Sequence, residues 1–155
     1  MLFTNIRNFA LVAVLGFLVS ACATGGRKAD NKDWYTGTDT VKFLAAGVPD
    51  RVFFATNRSS IHTKAQETLG KQAAYIKSSG ISVVVEGHAD ERGTREYNLA
   101  LGERRANAAR DYLMSQGVSG SQITVISYGK ERPVNPESSR LAWSQNRRSV
   151  TVKAN

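Results

Sequence analysis

Cysteine occurs once in the 155 residues, at Cys22, so no internal disulfide can form and no thiolate-rich metal site can be built. Histidine is nearly as scarce, with only His62 and His88. Two histidines and one cysteine make no credible zinc set, and no Ser-His-Asp order with a supporting elbow is seen in the sequence. Proline stands only at positions 49, 133 and 136, where it punctuates loops rather than breaking elements. Acidic residues are outnumbered, 13 against 21 Lys and Arg, for a net charge of +8. A basic balance fits a solvated surface or an anionic partner. Internal repeats and low-complexity runs are missing. The one long apolar run, Phe9 to Val19, falls short of the roughly 20 residues that span a bilayer as a helix.

That run has the parts of a secretory signal. Arg7 is the basic flank, the apolar segment follows, and small residues Ser20-Ala21 precede Cys22. Val19-Ser20-Ala21-Cys22 resembles a lipobox, the processing site of bacterial lipoproteins. The resemblance implies that residues 1–21 are a cleaved signal peptide and that Cys22 is the lipidation site, the alternative being an ordinary buried thiol. Several acyl chains would anchor the protein firmly. Ala23 stands where lipoproteins retained at the inner membrane carry Asp, which points to an outer-membrane lipid anchor with the domain facing the periplasm. Export argues against nucleic acid as the anionic partner.

Residues 22–48 are polar, with Gly25-Gly26 and a Lys/Asp/Asn-rich stretch, and read as a flexible tether gaining order near Val41 to Leu44. Residues 49–155 form one domain. Val52-Phe53-Phe54 predicts a first strand and Ala55 to Ser60 a polar loop. Thr63 to Gln66 reads as a capping box opening a helix to Ser78, with Ala65, Leu69, Ala73 and Ile76 on one face. Ile81 to Val85, β-branched and continuous, predicts a buried central strand. A second helix runs from Thr94 to Gln116 with a core stripe of Leu99, Gly102, Ala106, Ala109 and Leu113. Ile123 to Ser127 is a third strand, followed by a turn at Tyr128-Gly129-Lys130. A short helix at 139–146 and a last strand at 148–153 complete the order β-α-β-α-β-(α)-β. The fold class is α/β, an α+β sandwich with helices packed on one mixed four-stranded sheet.

The chemistry concentrates between Val85 and Asn107, a strand end, a glycine-containing turn and a long helix. Asp90 sits in the turn, and Arg104 and Arg105 lie on the helix. Thr94, Asn98, Leu101 and Arg105 share a stripe beside the core stripe, at the border of core and solvent. The crevice beyond a strand's carboxyl end is a favoured ligand position, and the N–H groups of a helix start attract anions. An Asp can hold an ammonium and an Arg can grip a carboxylate through two parallel bonds, so the pair can read a small zwitterion. A structural ion pair, with Asp90 capping the helix and Arg105 paired to Glu103 or another neighbour, reads the same spacing equally well.

Gly87-His88-Ala89-Asp90-Glu91-Arg92-Gly93-Thr94, Glu96-Tyr97-Asn98, Leu101 to Ala106, Ser127 to Lys130 and Asn146-Arg147-Arg148 together resemble the OmpA-like peptidoglycan-binding domain family, in particular its lipid-anchored peptidoglycan-associated lipoproteins. The resemblance covers residues 50 to 153. It implies noncovalent binding of meso-diaminopimelate on the peptidoglycan stem peptide. Asp90 would receive the ligand ammonium and Arg105 its carboxylate. Thr94 and Leu101 would line the pocket, with Asn98 beside them. It also implies membership of the Tol-Pal system, with TolB and TolA as partners and a role in envelope integrity and cell division. Two departures stand out. Thr56-Asn57-Arg58 replaces a Phe/Leu-Asp-Lys loop, so Thr56 and Asn57 occupy pocket positions without the family's carboxylate. Arg95 replaces a proline at the helix start.

His88 with Asp90 and Glu91 offers too few ligands for a metal, and reads instead as a hydrogen-bonding residue at the strand end. Tyr97 and Tyr128 read as packing residues. No cofactor is expected. The expectation is a binding protein, not an enzyme. An OmpA-like wall-binding lipoprotein outside the Tol system is the alternative. A cell-wall hydrolase finds less support, because only the proximity of Asp90 to Glu91 or Glu96 suggests acid–base chemistry.

Overall fold

The fold is seen in a computed structural model that describes residues 33–155. The expected signal peptide, Cys22 and the first part of the expected tether lie outside the described residues. The elements in chain order are strands β1 (Phe43–Ala45), β2 (Val48–Pro49) and β3 (Arg51–Phe53), helix α1 (Thr63–Ser79), strand β4 (Val83–His88), helix α2 (Arg95–Ser115), a 3₁₀ turn (Gly120–Gln122), strand β5 (Ile123–Gly129), helix α3 (Arg140–Asn146) and strand β6 (Arg148–Lys153). The main sheet has the order β3-β6-β4-β5. Its β3–β6 and β6–β4 pairs are antiparallel and its β4–β5 pair is parallel, so the expected mixed four-stranded sheet is present.

Helix α1 forms where the apolar spacing predicts it, and Ala65, Leu69, Ala73 and Ile76 are all buried. Its cap differs from the expectation. His62, not Thr63, is the N-cap, and its Nδ1 accepts from the Ala65 N–H at 3.3 Å. Gly80 ends the helix at φ 68, a conformation a side chain disfavours. Gln72, within the buried stripe, satisfies its amide by donating to the Pro49 carbonyl and accepting from the Thr151 hydroxyl, both at 2.7 Å. The central strand β4 extends past Val85 to His88, and β5 runs on through the expected turn to Gly129.

Helix α2 lies unusually close to the sheet. A Cβ on Gly87 would stand 1.9 Å from the Gly102 carbonyl, and one on Gly102 would stand 2.4 Å from the Ser127 hydroxyl. Small residues at the crossing thus bring the helix down onto β4 and β5. The buried face of α2 comprises Asn98, Leu101, Gly102, Arg105, Ala106, Ala109 and Leu113. Leu99, expected in the core, is 49% exposed. The stripe expected at the border is inside: Asn98, Leu101 and Arg105 are buried, while Thr94 at the helix start is exposed.

The part of the expected tether within 33–48 is packed onto the domain. Strands β1 and β2 pair, and Leu44 joins the core with Val52, Phe54, Leu69 and Ile76. Trp34 stacks on His62 with ring centroids 4.2 Å apart, and Tyr35 meets Phe53 edge-on at 4.9 Å. A two-to-three-residue hairpin shows no alternation long enough to announce a strand. Among the described residues no helix is long and apolar enough to cross a membrane.

Candidate ligand-binding site

Asp90 lies in the turn between β4 and α2 and is buried. Its carboxylate accepts from the Arg92 N–H at 3.1 Å, from Arg92 Nε at 3.1 Å and from Arg92 Nη2 at 2.7 Å. Arg147, from the connection between α3 and β6, reaches the same carboxylate with Nη1 at 3.4 Å. Burial pushes the Asp90 carboxyl up. The Arg92 hydrogen bonds and the charges of Arg92 and Arg147 outweigh it and hold the group below the ordinary carboxylate range. The two guanidiniums are unequal. Arg147 is 4% exposed at its side chain and Arg92 is 42% exposed. Arg92 also lies over the Trp143 ring at 4.3 Å.

Arg105 is placed one layer deeper and is fully buried. Among the described residues it pairs with no carboxylate, Glu103 included. Nε donates to the Arg58 carbonyl at 2.9 Å, Nη1 to the His88 carbonyl at 2.9 Å and Nη2 to the Ala55 carbonyl at 3.1 Å. Three of its five N–H donors are thus committed to backbone. They tie the β3–α1 loop to the carboxyl end of β4. Burial, together with the charge of Arg147, brings its guanidinium down to about 10.

The other expected site residues divide by role. Thr94 is the N-cap of α2, its hydroxyl accepting from the Tyr97 N–H at 3.2 Å. Asn98 donates Nδ2 to the Arg92 and Thr94 carbonyls at 2.8 and 3.1 Å, which fixes the turn that carries Asp90. Leu101 is a buried apolar residue of α2. Thr56 and Asn57 lie in the β3–α1 loop, and Asn57 takes a positive φ of 54 at its exposed tip. The Thr56 N–H donates to Asp33 Oδ2 at 2.8 Å. Arg104 is exposed and lies over the Tyr97 ring at 6.0 Å.

Beside this cluster opens a cleft of about 570 Å³, and of the expected site residues only Thr56 is on its lining, Asp90 and Arg105 being reached through Arg92 and Arg147. Arg92, Arg140 and Arg147 line it with Thr56 and Trp143, and Asp33 is the one acidic residue among its lining. Arg92, Arg147 and Asp33 are the participants that the sequence reading did not assign. Arg92 and Arg147 fall in the motif segments, so their presence was visible but their convergence on Asp90 was not. Asp33 sat in a stretch read as tether and carried no signal.

His88 corrects another expectation. It is buried, but among the described residues neither ring nitrogen has a hydrogen-bond partner. It stacks on Tyr128 at 5.6 Å and lies 3.5 Å from a Glu86 carboxylate oxygen. Burial, then the charges of Arg148, Arg51 and Arg132, push its imidazole down to about 3. Among the described residues no group of three His, Cys, Asp or Glu side chains is placed to hold a metal.

Comparison with known proteins identifies the family to which this fold belongs. Residues 53–147 match the model of the OmpA family. The chain is 46% identical over 156 residues to the peptidoglycan-associated lipoprotein of Mesorhizobium japonicum, covering 94% of this chain and 92% of that one. It is 58% identical over 110 residues to the peptidoglycan-associated lipoprotein of Rhizobium meliloti, covering 70% and 62%. The crystal structure of the peptidoglycan-associated lipoprotein from Burkholderia pseudomallei superimposes with a TM-score of 0.66 at 40% identity, over 68% of this chain and 90% of that one. The C-terminal domain of Helicobacter pylori MotB shares the fold, with a TM-score of 0.63 at 21% identity over 68% of this chain and 84% of that one. The chain belongs to the OmpA family and groups within it with the peptidoglycan-associated lipoproteins.

Proposed function

We propose that this protein is an outer-membrane lipoprotein that binds peptidoglycan noncovalently through the meso-diaminopimelate of the stem peptide, and so ties the membrane to the wall. The observation that carries the reading is the pairing of Asp90 with two guanidiniums that line the cleft. Buried Asp90 is held by one fixed guanidinium, Arg147, and one half-exposed guanidinium, Arg92. A ligand ammonium takes the place of the Arg92 guanidinium on Asp90 as that side chain swings outward. The neighbouring carboxylate of the same zwitterion meets the cationic lining of the cleft at Arg147 and the Thr56 N–H, with the buried Arg105 guanidinium adding positive charge nearby. Thr94 and Asn98 keep the turn in shape, Leu101 is buried beneath it, and Asn57 stands next to Thr56 in the β3–α1 loop.

Lipidation at Cys22 supplies the second attachment. Two weak attachments joined in one chain act through effective concentration, so modest affinity for each stem peptide suffices. The function is binding, and the cleft's groups are assigned to recognition, not catalysis. The family grouping supports a place in the Tol-Pal system, with TolB and TolA as partners and a role in envelope integrity and cell division.

The test is co-sedimentation of the full chain, in detergent, with purified sacculi. Sacculi with meso-diaminopimelate should pull the protein down and those with lysine should not. Equal recovery with both would refute the assigned ligand, and released muropeptides would refute the noncatalytic assignment. Affinity capture from native envelopes should recover TolB. Its absence would place the protein outside the Tol system.

A further inference from the structure

The segment 33–39 lies across the cleft and brings its own carboxylate to it. Asp33 Oδ2 accepts from the Thr56 N–H at 2.8 Å, and Asp33 Oδ1 lies 3.5 Å from Arg147 Nη2. The Arg147 guanidinium also donates to the Asp33 backbone carbonyl. The segment is fastened on both sides. On the α1 side Trp34 stacks on His62, and Lys64 donates to the Thr36 carbonyl at 3.3 Å. On the α3 side Gln145 donates to the Asp39 carboxylate at 2.8 Å. The donors that Asp33 holds are those that face a ligand carboxylate in the reading above.

We propose that residues 33–36 form an intramolecular strap in which the Asp33 carboxylate occupies the carboxylate seat of the wall-binding cleft, so that a carboxylate ligand must displace it to bind. The inference rests on the proposed wall-binding function and adds a regulatory step to it. The Asp33 side chain is 45% exposed, against 4% for Arg147. The strap is therefore the exchangeable partner and the guanidinium the fixed one. An exposed ion pair contributes little by itself, so the closed state is held by the sum of the stack, the loop bonds and the carboxylate. Displacement also releases the stretch that leads toward Cys22, which couples occupancy of the cleft to the length of chain between anchor and domain.

The experiment compares the full chain in detergent with its Asp33→Ala and Trp34→Ala variants. The probe is the stem tripeptide ending in meso-diaminopimelate, titrated by calorimetry, with the Trp34 indole N–H followed by NMR. A strap closed nine-tenths of the time weakens apparent affinity about tenfold, so each variant should bind about tenfold more tightly. In the parent chain the Trp34 resonance should move on titration to an unstacked position. Unchanged or weaker binding by Asp33→Ala, with the parent still binding, would overturn the strap and leave the wall-binding function standing. A Trp34 resonance that stays put while peptide binds would do the same. No binding by any of the three would overturn the wall-binding function, and the strap with it.

Discussion

Two arginine-rich clusters flank the central strand, and they differ in what their charges can be exchanged for. In the cleft cluster, Asp90–Arg92 and Arg147–Asp33 each join a buried member to one that reaches solvent, and the two buried members, Asp90 and Arg147, also meet each other. In the sealed cluster, Asp50 and Arg51 meet through two bonds of 2.8 Å with side-chain exposures of 9% and 6%. Arg148 donates to the Arg132 carbonyl at 3.1 Å and to the Asn146 carbonyl at 3.3 Å, with its Nε unpartnered. His88 beside them makes no ring hydrogen bond. Both clusters are buried and basic, so charge and burial alone do not mark a site. What separates them is that the cleft cluster can trade partners without leaving a buried charge unpaired, whereas the sealed one has no outlet.

Arg105 neighbours the cleft cluster but belongs to the sealed class by its burial and its bonds, and it is the sharpest place to break the distinction. Arg105→Ala should lower stability by about 4.5 kcal/mol, from three charge-assisted hydrogen bonds at roughly 1.5 kcal/mol each. Urea denaturation measures this. A loss under about 1 kcal/mol would mean that the carbonyl bonds do not hold the loop. Loss of ligand binding in this variant therefore does not by itself identify a ligand contact.

Acid should strain the sealed cluster first. His88 is depressed to about 3 in the folded protein, against about 6.5 when unfolded. The unfolded chain takes up a proton that the folded one refuses, so stability falls as pH drops below about 6.5 and this loss is complete near 3. Asp90 and Asp33 are held below the ordinary range, so their contribution is present above about 4 and is lost only below it. His88→Phe should flatten the stability profile between pH 6.5 and 4.5. An unchanged slope in thermal melts would remove His88 as its source.

Arg148→Met should cost less than Arg105→Ala, about 1–2 kcal/mol, because a poorly satisfied buried cation is being replaced by an apolar chain of similar length. A cost equal to that of Arg105→Ala would erase the difference between saturated and unsaturated arginines. Arg92→Ala should have the smallest effect on folding, within about 1 kcal/mol, since its side chain is half exposed. Ligand binding should survive it. If Arg92→Ala abolishes binding as Asp90→Ala does, Arg92 contacts the ligand and is not the group it replaces.

The sequence made some of this legible and hid the rest for physical reasons. Ala65, Leu69, Ala73 and Ile76 announce α1 because one helical face is apolar and every residue on it is buried. Val83 and Val85 announce the central strand. Leu99 misled because a helix with small residues in its core stripe has two adjacent apolar phases, and the sheet selected the one with Leu101. His62 was missed as a cap because the ring nitrogen substitutes for the usual hydroxyl or carboxylate. Asp90 and Arg105 were visible as a motif, but the environment of Arg105 is made by Ala55, Arg58 and His88, which only the fold brings together. The strap was illegible for a related reason: Asp33 meets Thr56 and Arg147 across long stretches of chain, inside a segment whose composition is that of a linker.

The central claim is that the cleft cluster exchanges its internal partners for a zwitterion. The most direct measurement is calorimetric titration of the full chain with the stem tripeptide ending in meso-diaminopimelate, alongside the tripeptide ending in lysine, which lacks the second α-carboxylate. Asp90→Asn is run in parallel, since it keeps the shape of the side chain and removes its charge. Binding of the diaminopimelate peptide, weak or no binding of the lysine peptide, and loss of binding in Asp90→Asn are the predicted results. Equal affinity for both peptides, or undiminished binding by Asp90→Asn, would contradict the account and make the cleft cluster as structural as the sealed one.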